Sequence, residues 1–130
     1  MSLSIDHVVM TVKDINKTIY FYSSILDMEL IEFVSILDTT KRKSLKFGNQ
    51  KINLHEYEKP FKPHAKNPVP GSLDICFISE KVIDEWILTF TKYNIDIEEG
   101  PVLKTGANGP IKSIYIRDPD NNLIEISNEI

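Results

Sequence analysis

The residues able to do chemistry here are few: His7, Asn53, His55, Asp74 and Glu125. Glu125 sits inside Leu123-Ile124-Glu125-Ile126-Ser127. Ile124 and Ile126 point one way there, and Leu123, Glu125 and Ser127 the other. A carboxylate in an otherwise apolar strand must face water, a cation or a partner. The same parity puts His7 (residues 5–12), Asn53 and His55 (residues 51–56) and Asp74 (residues 73–78) opposite the apolar positions of their own strands. Two imidazoles and two carboxylates suit Fe(II), Mn(II), Ni(II), Zn(II) or Co(II). Two histidines with one carboxylate would leave open positions for a bidentate oxygen substrate. Taken singly, each residue has a plainer reading. His7 can be a hydrogen-bonded surface histidine, His55 a solvent-exposed strand end, Asp74 a cap or a lysine partner, and Glu125 a solvated strand residue. Cys76 shares the face, but a single cysteine is commonly a small buried hydrophobe. His64 lies in a proline-rich stretch and is assigned no chemistry.

The elements that must position these residues repeat. Residues 5–12 read as a strand, and Asp14 as an N-cap for a helix carrying Ile15, Ile19, Tyr22 and Leu26. A strand over residues 29–37 follows, then a polar turn over 38–43. Two strands, 44–47 and 51–56, are joined at Gly48-Asn49-Gln50. Residues 58–72 hold Pro60, Pro63, Pro68 and Pro70, four of the chain's seven prolines, and read as a stiff linker. A strand over 73–78 restarts the pattern. Ser79 is expected to cap a helix with Ile83, Trp86, Ile87 and Phe90 on its apolar stripe. A short strand at 95–98, a long loop over 100–112 and a final hairpin about Asp118-Pro119-Asp120-Asn121-Asn122 complete it. His7 pairs with Asp74 and Leu30 with Ile97 at equal sequence separation, and Asn53 with Glu125 at a slightly larger one. The pattern predicts an internal duplication: an α+β chain of two βαβββ modules, residues 1–57 and 73–130, in one domain. One sheet face of each module is helix-covered, and the opposite faces are expected to form a cup.

Composition excludes several classes. The chain has 130 residues, 42% hydrophobic and 26% charged, with a net charge of −4, the balance of an ordinary globular domain. No basic stripe exists to hold nucleic-acid phosphates, and no apolar run approaches the roughly 20 residues of a membrane span. A lone cysteine rules out an internal disulfide framework. With no signal-peptide pattern, the expected location is the cytoplasm.

Ile-Asp-His-Val-Val-Met-Thr-Val at 5–12, the helix with Tyr20-Phe21-Tyr22 and Leu26, and Arg-Asp-Pro-Asp-Asn-Asn-Leu-Ile-Glu at 117–125 resemble the vicinal oxygen chelate superfamily. That group holds glyoxalases, bleomycin-resistance proteins, fosfomycin-resistance enzymes and extradiol dioxygenases. Residues 47–55 and 99–111 look more narrowly like its small single-domain glyoxalase-like members. The resemblance implies two βαβββ modules in a curved mixed sheet around a metal cup, and a homodimer. By position, His7 matches the family's first-strand histidine and Glu125 its last-strand glutamate. Asp74 stands where a histidine is usual and Asn53 where a glutamate is frequent, so His55 or Asp74 must complete the metal set of His7, His55, Asp74 and Glu125.

The implied activity is metal-dependent lyase or isomerase chemistry on a small substrate with vicinal oxygens, through an enediolate. Glu125, then Asp74, is the expected base, and Tyr115, Arg117, Lys112 and Asn53 the substrate contacts. Lys46 and Arg42 are further candidates for an anionic substrate, and residues 104–112 for a glycine-rich lid. The alternatives are an extradiol dioxygenase, for which no spare histidine is evident, and a metal-free ligand-binding protein of the bleomycin-resistance type.

Overall fold

The computed structural model describes residues 2–130, and the chain divides into two compact units between Gly71 and Ser72. In the first unit, β1 (His7–Val12) leads to α1 (Ile15–Ile19), which continues as a π-helical segment, Tyr20–Ile25. Then come β2 (Glu29–Val34), β3 (Lys41–Phe47) and β4 (Gln50–Glu56), in the sheet order β1-β4-β3-β2. Asp14 caps α1 as expected, its Oδ1 accepting from the Lys17 amide at 3.1 Å. The π-helical turn widens the helix, so the buried side chains are Phe21, Tyr22, Ile25 and Leu26 rather than a strict 3.6-residue stripe. They share the unit's core with Met10, Ile52 and Leu54, while β1 runs parallel to β4 in register. β2 stops at Val34, and Ile36 and Leu37 are almost fully exposed.

The second unit has the same plan. β5 (Asp74–Ile78), α2 (Ile83–Lys92), β6 (Glu99–Gly106), β7 (Gly109–Arg117) and β8 (Leu123–Glu129) give the sheet order β5-β8-β7-β6. Ile114 and Ile116 of β7 and Ile124 and Ile126 of β8 are buried on the face that α2 packs against. Two copies of a parallel β5–β8-type pair, flanked by antiparallel strands, make this a glyoxalase-like α+β fold of two βαβββ modules.

Three local expectations are corrected. Residues 100–112 are not a loop. Gly106 and Gly109 bracket a tight turn at Ala107-Asn108, and the arms on either side pair as β6 and β7. The proposed lid is therefore a hairpin. Residues 95–98 form no strand, because the ladder begins only at Glu99, and Ile97 lies before the strand equivalent to that of Leu30. Ser79 does not cap α2. Its hydroxyl accepts from Trp86 Nε1 and donates to the Lys81 carbonyl, both at 2.8 Å. The first helical amide, Ile83, is satisfied instead by Asn128 Oδ1 from β8, at 2.8 Å.

Candidate active site

The Asp118–Asn122 turn sets the register of the second unit. Asp118 Oδ1 accepts from the amides of Asp120 and Asn122, and its Oδ2 from Asn122 Nδ2, at 2.8–2.9 Å. Asn122, 1% exposed, then accepts from the Leu73 amide at 2.8 Å, fixing the start of β5 beside β8. Asp74 thereby pairs with Leu123, and Cys76 with Glu125.

Glu125 stands half-buried on the helix-free face, opposite Tyr115. Ser113 Oγ donates to its Oε2 at 2.6 Å, and Ser127 Oγ approaches the same oxygen at 3.4 Å. The two serine hydroxyls are 2.6 Å apart and fully buried. Burial first, then the Glu125 charge and a hydrogen bond to it, push the Tyr115 phenol up to about 12. Tyr115 thus stays protonated at neutral pH, as a donor beside the carboxylate. Burial likewise pushes the Cys76 thiol up, so this exposed cysteine, 3.2 Å from Ser127 Oγ, is a poor nucleophile.

Of the expected substrate contacts, Tyr115 and Arg117 share the Glu125 face, but Arg117 is committed to Glu98 through two 2.9 Å bonds. Lys112 pairs with Asn128 and alternates with Ser113, which turns it to the opposite face from Glu125. It is removed from the candidate set.

In the first unit, His7 is exposed at the start of β1, and its Nδ1 lies 2.8 Å from Asp6 Oδ1. This carboxylate–imidazole contact orients the ring and leaves Nε2 free, the arrangement common among metal-bound histidines. His55 is placed differently. His7 is opposite Lys51, whereas His55 is opposite Thr11, four residues further along the same ladder. That offset is roughly 13 Å between backbone positions at strand spacing. His55 is also buried, edge-on to Phe61 with ring centroids 5.3 Å apart, and Arg42 lies 4.1 Å over that ring. Desolvation, then the Arg42 charge, lowers its pKa and keeps it neutral. His55 is therefore the most buried of the four expected metal ligands. Asn53 remains on the helix-free face. Its Oδ1, Ser44 Oγ and His55 Nδ1 are buried without a hydrogen-bond partner among the described residues.

Among the described residues, no three His, Cys, Asp or Glu side chains are gathered as a ready metal cluster. Each unit separately offers a donor that suits a borderline cation: an oriented imidazole at His7 in the first, and a carboxylate at Glu125, anchored by Ser113, in the second. Ser113, Asp6 and Phe61 escaped the sequence reading, which puts Ser127 on the Glu125 face but gives it no role. Parity would have placed Ser113 beside Tyr115 had residues 100–112 been read as strands.

This duplicated fold, with a carboxylate in the last strand and a histidine in the first, defines a family. The chain belongs to the Glyoxalase/Bleomycin resistance protein/Dioxygenase superfamily, whose model matches residues 4–126. It is 51% identical over 123 residues to virulence protein STM3117 of Salmonella typhimurium, covering 95% of this chain and 82% of that protein. The crystal structure of STM3117 superposes with a TM-score of 0.92 at 48% identity, covering 100% of this chain and 99% of the other. The metallothiol transferase FosB of Staphylococcus saprophyticus is 30% identical over 128 residues, covering 97% of this chain and 77% of FosB. Lactoylglutathione lyase from Agrobacterium tumefaciens shares the fold, with a TM-score of 0.70 at 23% identity, covering 96% of this chain and 92% of the lyase. No helix among the described residues is long and apolar enough to cross a membrane.

Proposed function

We propose that this chain is a divalent-metal-dependent enzyme acting on a small substrate with vicinal oxygens, by glyoxalase-like lyase or isomerase chemistry. The observation that carries the reading is the anchored Glu125, a half-buried carboxylate held at 2.6 Å by Ser113 beside the Tyr115 phenol. Such a carboxylate can take a proton from the carbon next to a carbonyl and return it to the neighbouring carbon, with no net oxidation. Tyr115, kept protonated, supplies a donor beside it. His7, Glu125 and Asp74 are the proposed metal ligands. The ion would supply Lewis acidity toward the paired oxygens. Membership of a family that includes a metallothiol transferase supports a metal, and its members support a homodimer in solution.

The test is turnover of a methylglyoxal–thiol adduct by protein loaded separately with Mn, Fe, Co, Ni and Zn. Glu125→Gln is expected to reduce kcat by about 10²–10⁴-fold in a protein that remains folded. Activity that survives the substitution contradicts the reading. Asn53, a neutral residue at a position where the family frequently has a glutamate, favours a second reading, a metal-free binder of small ligands. Metal-free protein whose thermal stability ignores all five cations would select it.

A further inference from the structure

We propose that Phe61 is a latch: it closes residues 60–66 over His55, and its release opens that part of the first unit's helix-free face to a hydrogen-bonding ligand. Phe61 meets His55 edge-on, with ring centroids 5.3 Å apart, and the Arg42 guanidinium lies 4.1 Å from the Phe61 centroid. A cation set over a ring holds it by electrostatic attraction. Arg42 is itself fixed, its Nε donating to Thr40 Oγ1 at 3.1 Å and its Nη2 to Asp38 Oδ2 at 2.9 Å. The catch on β3 is therefore rigid, and the segment it catches is not. Among the described residues, none of residues 60–66 shares a backbone–backbone hydrogen bond. Phe61 ties the segment to the sheet instead. A stretch secured by side chains opens locally, at far less cost than the whole domain.

The group beneath the latch has a reason to be uncovered. His55 is only 4% exposed, and its Nδ1 is buried without a hydrogen-bond partner. The next rung along the same face, Ser44 opposite Asn53, carries two more such atoms, Ser44 Oγ and Asn53 Oδ1. All the buried side-chain nitrogen and oxygen atoms without a partner among the described residues thus fall on this one patch. Burial has taken water from them and returned nothing, an arrangement folded proteins seldom keep. Phe61 bears directly on the His55 ring, so His55 is the group whose access the latch controls. It is also the one expected metal ligand that is closed off from solvent. The latch is independent of the Glu125 chemistry, which belongs to the second unit.

The experiment is modification of the full-length protein by diethyl pyrocarbonate at mildly alkaline pH. The reagent acylates neutral imidazoles, peptide mass spectrometry reads each histidine separately, and exposed His7 is the internal standard. In the wild type, His55 is expected to react more slowly than His7, at a rate that low urea leaves unchanged, the mark of local opening. Phe61→Ala should bring His55 close to the His7 rate. Arg42→Gln removes the catch and keeps the ring, and should speed His55 about three- to tenfold, the worth of one cation–ring contact. Thermal melts check that both variants remain folded. A wild-type His55 rate that climbs with urea in step with global unfolding would overturn the latch. So would a folded Phe61→Ala protein in which His55 reacts no faster than in the wild type. An unchanged rate in Arg42→Gln would overturn the part given to Arg42.

Discussion

Ser113 and Glu125, two residues off direct opposition on β7 and β8, are joined by a 2.6 Å hydrogen bond that anchors the carboxylate. Ser113→Ala removes the short donor and leaves Ser127 at 3.4 Å as a poor substitute. Turnover should fall about 10- to 100-fold, the usual cost of losing an outer-shell partner, with the melting temperature nearly unchanged. Steady-state kinetics beside a thermal melt checks both halves. Unaltered kcat would mean that Glu125 is oriented by something else.

Gly100 controls that serine from behind. Its φ is +106°, and a methyl group added there would collide with the Ser113 carbonyl oxygen. Gly100→Ala should cost about 1–3 kcal/mol from the backbone alone, read as a lower denaturant midpoint. A midpoint equal to the wild type would show that the ladder shift between Glu99 and Val102 tolerates a side chain.

Asn122 links the second unit's last turn to its first strand. Asn122→Ala strips the Leu73 amide and Asp118 Oδ2 of their partners. The loss should be about 2–3 kcal/mol in urea unfolding, with faster amide exchange at Leu73 and Asp74. Slow exchange there would refute the turn's role in placing Asp74.

His55 gives the chain a defined acid response. Burial lowers its folded-state pKa below the ordinary 6.5, so below about pH 6.5 the unfolded chain takes up a proton that the folded chain refuses. Its contribution is fully present above that pH and is lost as pH falls toward the depressed folded value. The melting temperature should drop on acidification through this window, and His55→Gln should flatten the drop. An equal slope in both proteins would contradict it.

Much of this was legible in the sequence. Alternation fixed Glu125, Tyr115 and His7 on the helix-free faces of their own sheets, because a period of two needs no long-range information. The duplication was visible for the same reason. What parity cannot supply is position along a strand: His7 and His55 share a face, yet β1–β4 register separates them by four residues. Nor could a local pattern reveal Asn128 as the cap of α2, since the donor and acceptor are 45 residues apart in sequence. Residues 100–112 misled because glycine and proline, ordinarily loop signals, here mark the bulge and turn of a hairpin.

The account depends most on the proposal that His7 and Glu125 are both ligands to a divalent metal. Elemental analysis of purified protein, after incubation with each cation and removal of the excess, measures this directly. About one tightly held ion per chain is predicted for the wild type, with most of it lost in folded His7→Ala and Glu125→Gln variants. A wild type that retains none of these cations, or variants that retain as much as it does, would contradict the claim.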